Sequence, residues 1–187
     1  MTIFDEAIKL AVSAHSGQTR KTDDSPYILH PMEVASIVGS LTGDLDVLTA
    51  AVLHDAVEDT SVSVDEIGAK FGERVAQLVD IETEDKRDGR DPGDTWKQRK
   101  EESLKTLAES SDRDVKILWL GDNLANLRSI KRALDQVGPA AWQKFHQSDP
   151  AEQAWYYRSV AEYLRSELEN TTAWKEYSNL IETVFED

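Results

Sequence analysis

A chain of 187 residues with a formal net charge of −15 and no cysteine excludes several classes of protein at once. It is long enough to bury one core, so a single domain over 1–187 is expected. The missing thiols exclude a disulfide framework, a Cys nucleophile and Cys-ligated zinc, and the acid excess repels polyanions, which argues against a nucleic-acid partner.

No apolar run approaches the roughly 20 residues of a membrane helix. "MTIFDEAIKLA" carries acid where a secretory signal carries basic residues, so a cytoplasmic, membrane-free protein is expected. "IFDEAIKLAVSAH" sets Ile3, Ala7, Ile8, Ala11 and Ala14 on one helical face. The polar loop "SGQTRKTDDSPYIL" leads into the helix "HPMEVASIVGSL", where Pro31 suits a first turn. "GDLDVLTAAVLHDAVEDT" is apolar on most sides and reads as one central buried helix. "SVSVDEIGAKFG" opens on a Ser63–Glu66 capping box and closes at Gly72, and "ERVAQLVDIET" is helical again. "EDKRDGRDPGD" is rich in breakers and reads as a mobile loop. Helical periodicity returns over 95–110, 113–136, 151–169 and 172–185, and strand-like alternation never persists. The fold class is all-α.

The buried helix ends in an ionisable cluster, His54, Asp55, Glu58 and Asp59, that is costly to bury unless it is paired or binds a metal. Residues four apart share a helix face, and adjacent residues differ by about 100°. His54 and Asp55 can therefore converge on one ion, with Glu58 and Asp59 one turn further along. In "VKILWLGDNLANLRSIKRAL", Asp122 interrupts an apolar stripe and Asn126 follows one turn later. His30, just before Pro31, is a third candidate. Two imidazoles with two carboxylates suit Mn²⁺, Fe²⁺ or Zn²⁺ better than Ca²⁺ or Mg²⁺. His15 is assigned a structural role, His146 a surface or capping one, and the five Trp residues to the core. Lys97, Arg99, Lys100, Arg128, Lys131 and Arg132 are candidate sources of positive potential, most of them assigned to solvent.

In order, "AHSGQTRK", "PYILHP", "LHDAVEDT", "FGERVAQLV" and "LGDNLANLRS" resemble the hydrolase domain of RelA/SpoT homologues, in the HD superfamily of metal-dependent phosphohydrolases. The length is similar to that of the small alarmone hydrolases, and the resemblance covers roughly 1–165. It implies an all-helical HD-domain bundle that binds one Mn²⁺ and removes the 3′-pyrophosphate of (p)ppGpp. Carried over by position, it makes His30, His54, Asp55 and Asp122 the metal ligands and gives Glu58 and Asp59 the attacking water. It puts Arg20 and Lys21 beside the nucleotide, Asn126 at the ribose and phosphate, and Ser129 where the family has a small hydroxyl residue. Asp23 and Asp24 stand where a glycine-containing turn is usual, and Asn123 where a basic residue is common. A (p)ppApp-preferring hydrolase and a generic HD-type nucleotidase are the rival readings.

Overall fold

The computed structural model describes residues 2–85 and 89–185. Lys86, Arg87 and Asp88, part of the stretch read as a mobile loop, lie outside them. Among the described residues there is no β-strand, only an isolated bridge between Thr19 and Pro26. The fold is an all-α bundle.

α1 (Ile3–Ala14) starts at a Thr2–Asp5 capping box, and α2 (Leu29–Gly39) has Pro31 in its first turn. α3 (Leu45–Leu53) is the central helix, capped by Asp44 and buried among α1, α2, α8 (Arg113–Val137) and α6 (Glu73–Glu82). Ala50, Ala51, Val52 and Leu53 are fully buried, as an apolar girdle requires. α5 (Val64–Phe71) uses the expected Ser63–Glu66 box and stops at Gly72, whose φ of 97° lies in the left-handed region that favours glycine. α9 (Pro150–Leu168) and α10 (Thr172–Phe185) complete the bundle, with α10 against α8.

The structure corrects two expectations and adds one element. The helix expected through 43–60 is broken: α3 ends at Leu53, His54 and Asp55 form a turn, and α4 (Ala56–Asp59) is one short helix. Local chemistry accounts for the break. The His54 ring donates from Nδ1 to the Ala51 carbonyl at 2.9 Å, satisfying a terminal carbonyl that a further helical turn would otherwise use. α7 (Pro92–Glu109) begins three residues before the expected 95, because Asp91 caps it and Pro92 takes its first position. Gly138–Lys144 forms a 3₁₀ segment that periodicity did not signal.

Candidate metal and nucleotide site

α2, α3 and α8 pack on one another, and each delivers part of the site. His30 comes from the first turn of α2, His54 and Asp55 from the turn after α3, and Asp122 from the middle of α8. The His30 Nε2 atom lies 3.0 Å from Asp122 Oδ1 and 3.5 Å from Asp55 Oδ2. His54 Nε2 lies 3.2 Å from Asp55 Oδ2 and 3.5 Å from Asp122 Oδ1. Ligand atoms bound about 2.1 Å from one ion fall roughly 3.0–3.5 Å apart when adjacent in its coordination shell, so these separations suit one shared cation.

The His54 tautomer strengthens this fit. Its Nδ1–H is committed to the Ala51 carbonyl, so Nε2 is the ring nitrogen left for an ion, which it binds by its lone pair once deprotonated. That Nε2 is buried and has no hydrogen-bond partner. His30, His54 and Asp122 each offer one donor atom, all within 4.8 Å of one another. The two histidines differ electrostatically: burial pulls His30 below its usual value, whereas at His54 Asp55 and Asp122 outweigh burial and push it well up. Burial opposes ionisation of both carboxylates, but the imidazoles hold Asp55 and Asp122 well below the ordinary range. The donor set fits a divalent ion.

Around the cluster opens a cavity of about 680 Å³. Glu58, Asp59, Arg20, Lys21 and Asn126 all line it. Glu58 Oε2 accepts from the Glu84 backbone N–H at 3.2 Å. Arg20 donates to Asn126 Oδ1 at 2.9 Å, and Asn126 donates to Asp122 Oδ1 at 2.8 Å, so Arg20, Asn126 and Asp122 form one hydrogen-bonded chain. Ser129 is placed differently: it is buried and shares a 2.7 Å hydrogen bond with the Thr22 hydroxyl, tethering the Arg20–Lys21 loop to α8. Asp23 accepts from the Ser25 N–H and hydroxyl, while Asp24 adopts a φ of 59°, the left-handed conformation glycine would take at no steric cost.

Several site residues escaped the sequence reading. The Tyr27 hydroxyl lies 2.6 Å from Asp55 and 2.7 Å from Asp59, and burial together with these two carboxylates keeps it protonated. Its ring lies under the Arg20 guanidinium and stacks on His15, which is buried and structural as expected. Arg99 and Lys100, expected at the surface, instead converge on Glu84 at 2.6 and 2.8 Å and line the cavity. Trp96 and Trp119 are buried as expected and also form its wall, and exposed His146 stands at its edge. Only the "PYILHP" motif held a signal for Tyr27. The cavity-facing Arg99 and Lys100 had none, because a polar helix such as α7 reads as solvated on every side.

The HD-domain family profile matches residues 7–147. The chain belongs to the HD-domain family. This HD-domain chain is 37% identical over 142 residues to the guanosine-3′,5′-bis(diphosphate) 3′-pyrophosphohydrolase MESH1 of Mus musculus, covering 74% of this chain and 73% of that one. It is 36% identical over 124 residues to the guanosine-3′,5′-bis(diphosphate) 3′-pyrophosphohydrolase of Vibrio cholerae, covering 65% of this chain but 17% of the relative's length. A solved structure described as a metazoan orthologue of SpoT that hydrolyses ppGpp superposes with a TM-score of 0.75 at 26% identity, over 98% of this chain and 96% of that one. The Listeria monocytogenes protein lmo0812 superposes with a TM-score of 0.73 at 32% identity, over 87% and 97% of the two chains.

Proposed function

We propose that this HD domain is a Mn²⁺-dependent hydrolase of the 3′-pyrophosphate of (p)ppGpp, acting in the cytoplasm as one catalytic domain. The observation that carries the reading is the convergence of His30, His54, Asp55 and Asp122 at 3.0–3.5 Å around an orphaned imidazole nitrogen. The names of the relatives support the substrate class. A divalent ion supplies Lewis acidity there, making water a stronger nucleophile at neutral pH.

The chain's own residues do the rest. Glu58, oriented by the Glu84 N–H, and Asp59, oriented by Tyr27, lie one short helix beyond the ligands and receive the water's proton. The water oxygen bonds to the phosphorus attached to the ribose O3′, the phosphorus–O3′ bond breaks, and its electron pair leaves on O3′. The proton taken from water is returned to O3′, so pyrophosphate and a 3′-hydroxyl nucleotide are released. Arg20 offers a planar cation to the purine, Lys21 a point charge to phosphate, and Asn126 links Arg20 to Asp122. Ser129 contributes by holding Thr22 and thus the loop.

The test incubates the purified protein and Mn²⁺ with ppGpp, ppApp, and ordinary nucleoside mono- and diphosphates. Release of pyrophosphate from ppGpp at the highest kcat/KM is expected. Preference for ppApp would move the assignment to an adenine alarmone, and turnover of ordinary nucleotides alone would replace it with a generic nucleotidase.

A further inference from the structure

Glu82 is a carboxyl of this cavity that the mechanism above leaves without a task. It closes α6, which packs on both α3 and α8. It lines the same cavity as His54, Asp55 and Asp122. Its Oε2 is shut off from solvent and has no hydrogen-bond partner. A buried carboxyl oxygen in that state is costly unless water or a ligand completes it.

Its strongest electrostatic neighbours belong to the cluster. After burial itself, the groups acting most strongly on Glu82 are Asp122, His54 and Asp55, all members of the cluster. The positions within 3.5 Å of the two imidazole nitrogens are taken by Asp55 and Asp122. Glu82 thus lies in the same cavity but outside the ring of donor atoms, where a carboxyl reaches the cluster through water. Glu58 and Asp59 differ, since each already accepts from the protein, at the Glu84 N–H and the Tyr27 hydroxyl.

We propose that Glu82 is a further catalytic residue, whose carboxyl accepts a hydrogen bond from the attacking water and aims its oxygen at phosphorus. The inference rests on the hydrolytic reading above. It assigns the water holders from two elements: Glu58 and Asp59 from α4, and Glu82 from the end of α6.

Two variants test it, Glu82→Gln, which keeps the shape and a weaker acceptor, and Glu82→Val, which removes the acceptor. Mn²⁺ affinity by calorimetry, melting temperature, and kcat and KM for ppGpp are measured for each. Affinity and KM within about twofold of the parent are expected, with kcat falling roughly tenfold in Glu82→Gln and 100-fold in Glu82→Val. Should Glu82→Val fail to fold, Glu82→Gln decides alone. A kcat within twofold of the parent overturns the inference, and so does a loss that follows lost Mn²⁺ occupancy, which would make Glu82 a holder of the ion. A parent inactive on every nucleotide overturns the hydrolytic reading itself, whereas an active parent with an indifferent Glu82→Gln overturns this inference only.

Discussion

Tyr27 has one hydroxyl proton and two carboxylates within reach of it, Asp55 at 2.6 Å and Asp59 at 2.7 Å. Donating to either, it relieves repulsion between a proposed metal ligand and a proposed water-handling residue. Tyr27→Phe keeps the ring that Arg20 and His15 use and removes only the donor. Losing one hydrogen bond to a charged partner costs about 1.5–3 kcal/mol, so a lower melting temperature is expected, together with a reduced kcat at nearly unchanged KM. The ligands answer to a different measurement. An ion that binds only the folded state adds about 2.7 kcal/mol at a hundredfold excess over its Kd. For a chain of this size that raises Tm by roughly 5–10 °C. Mn²⁺ should give that shift in the parent and none in His54→Ala or Asp55→Ala. A full shift in both variants would place the ion elsewhere.

Between elements, close approach and buried charge set the site's shape. A Cβ on Gly121 would stand 2.7 Å from Val38 Cγ2 and 3.4 Å from Val34 Cγ1, so α8 can sit this close to α2 because residue 121 has no side chain. Gly121→Ala gains about 1 kcal/mol of helix propensity but forces the two helices apart, an overpacking cost of typically 1–3 kcal/mol. Because α2 carries His30 and α8 carries Asp122, the variant should lose Mn²⁺ affinity as well as stability in a calorimetric titration. Just past the end of α6, Glu84 accepts from Arg99, Lys100 and Ser103 of α7. Burial alone would raise the Glu84 pKa; Lys100, Arg99 and Ser103 outweigh it and lower it below 4.5. A lowered folded-state pKa stabilises above the unfolded value and is lost as pH falls through the folded one. Glu84→Gln should therefore be less stable than the parent at pH 7, with the gap closing as pH drops below about 4.5, read as urea midpoints across that range.

At the scale of the whole molecule, a net charge of −15 strains the compact state by self-repulsion. Bidentate clamps oppose it locally: Arg74 holds Asp112, and Arg128 holds Glu176 while also reaching Glu33, tying α8 to α10 and α2. Screening should nevertheless win. Raising NaCl from 10 to 100 mM shortens the Debye length from about 30 to about 10 Å, and Tm should climb by a few degrees. A falling Tm would mean that the clamps, not the repulsion, dominate. Among the described residues no helix is long and apolar enough to cross a membrane.

The amino-acid order by itself determined the helical class, most helix spans, the Ser63–Glu66 cap, and the residues His30, His54, Asp55 and Asp122 as a set, because periodicity, capping and motif are local properties of the chain. It also promised an unbroken helix through His54, since apolar periodicity does not register a side chain competing for its own backbone carbonyl. What only the tertiary structure decided is which atoms meet across separations of 15 to 107 residues of chain. Tyr27 bridges two carboxylates, Ser129 tethers Thr22, and Arg99 and Lys100 turn inward to Glu84. Glu82 is the clearest case. In sequence it is one more acid in a chain with 36 of them, and only the packing of α6 against α3 and α8 leaves its oxygen buried and unpartnered in a residue that lines the cavity.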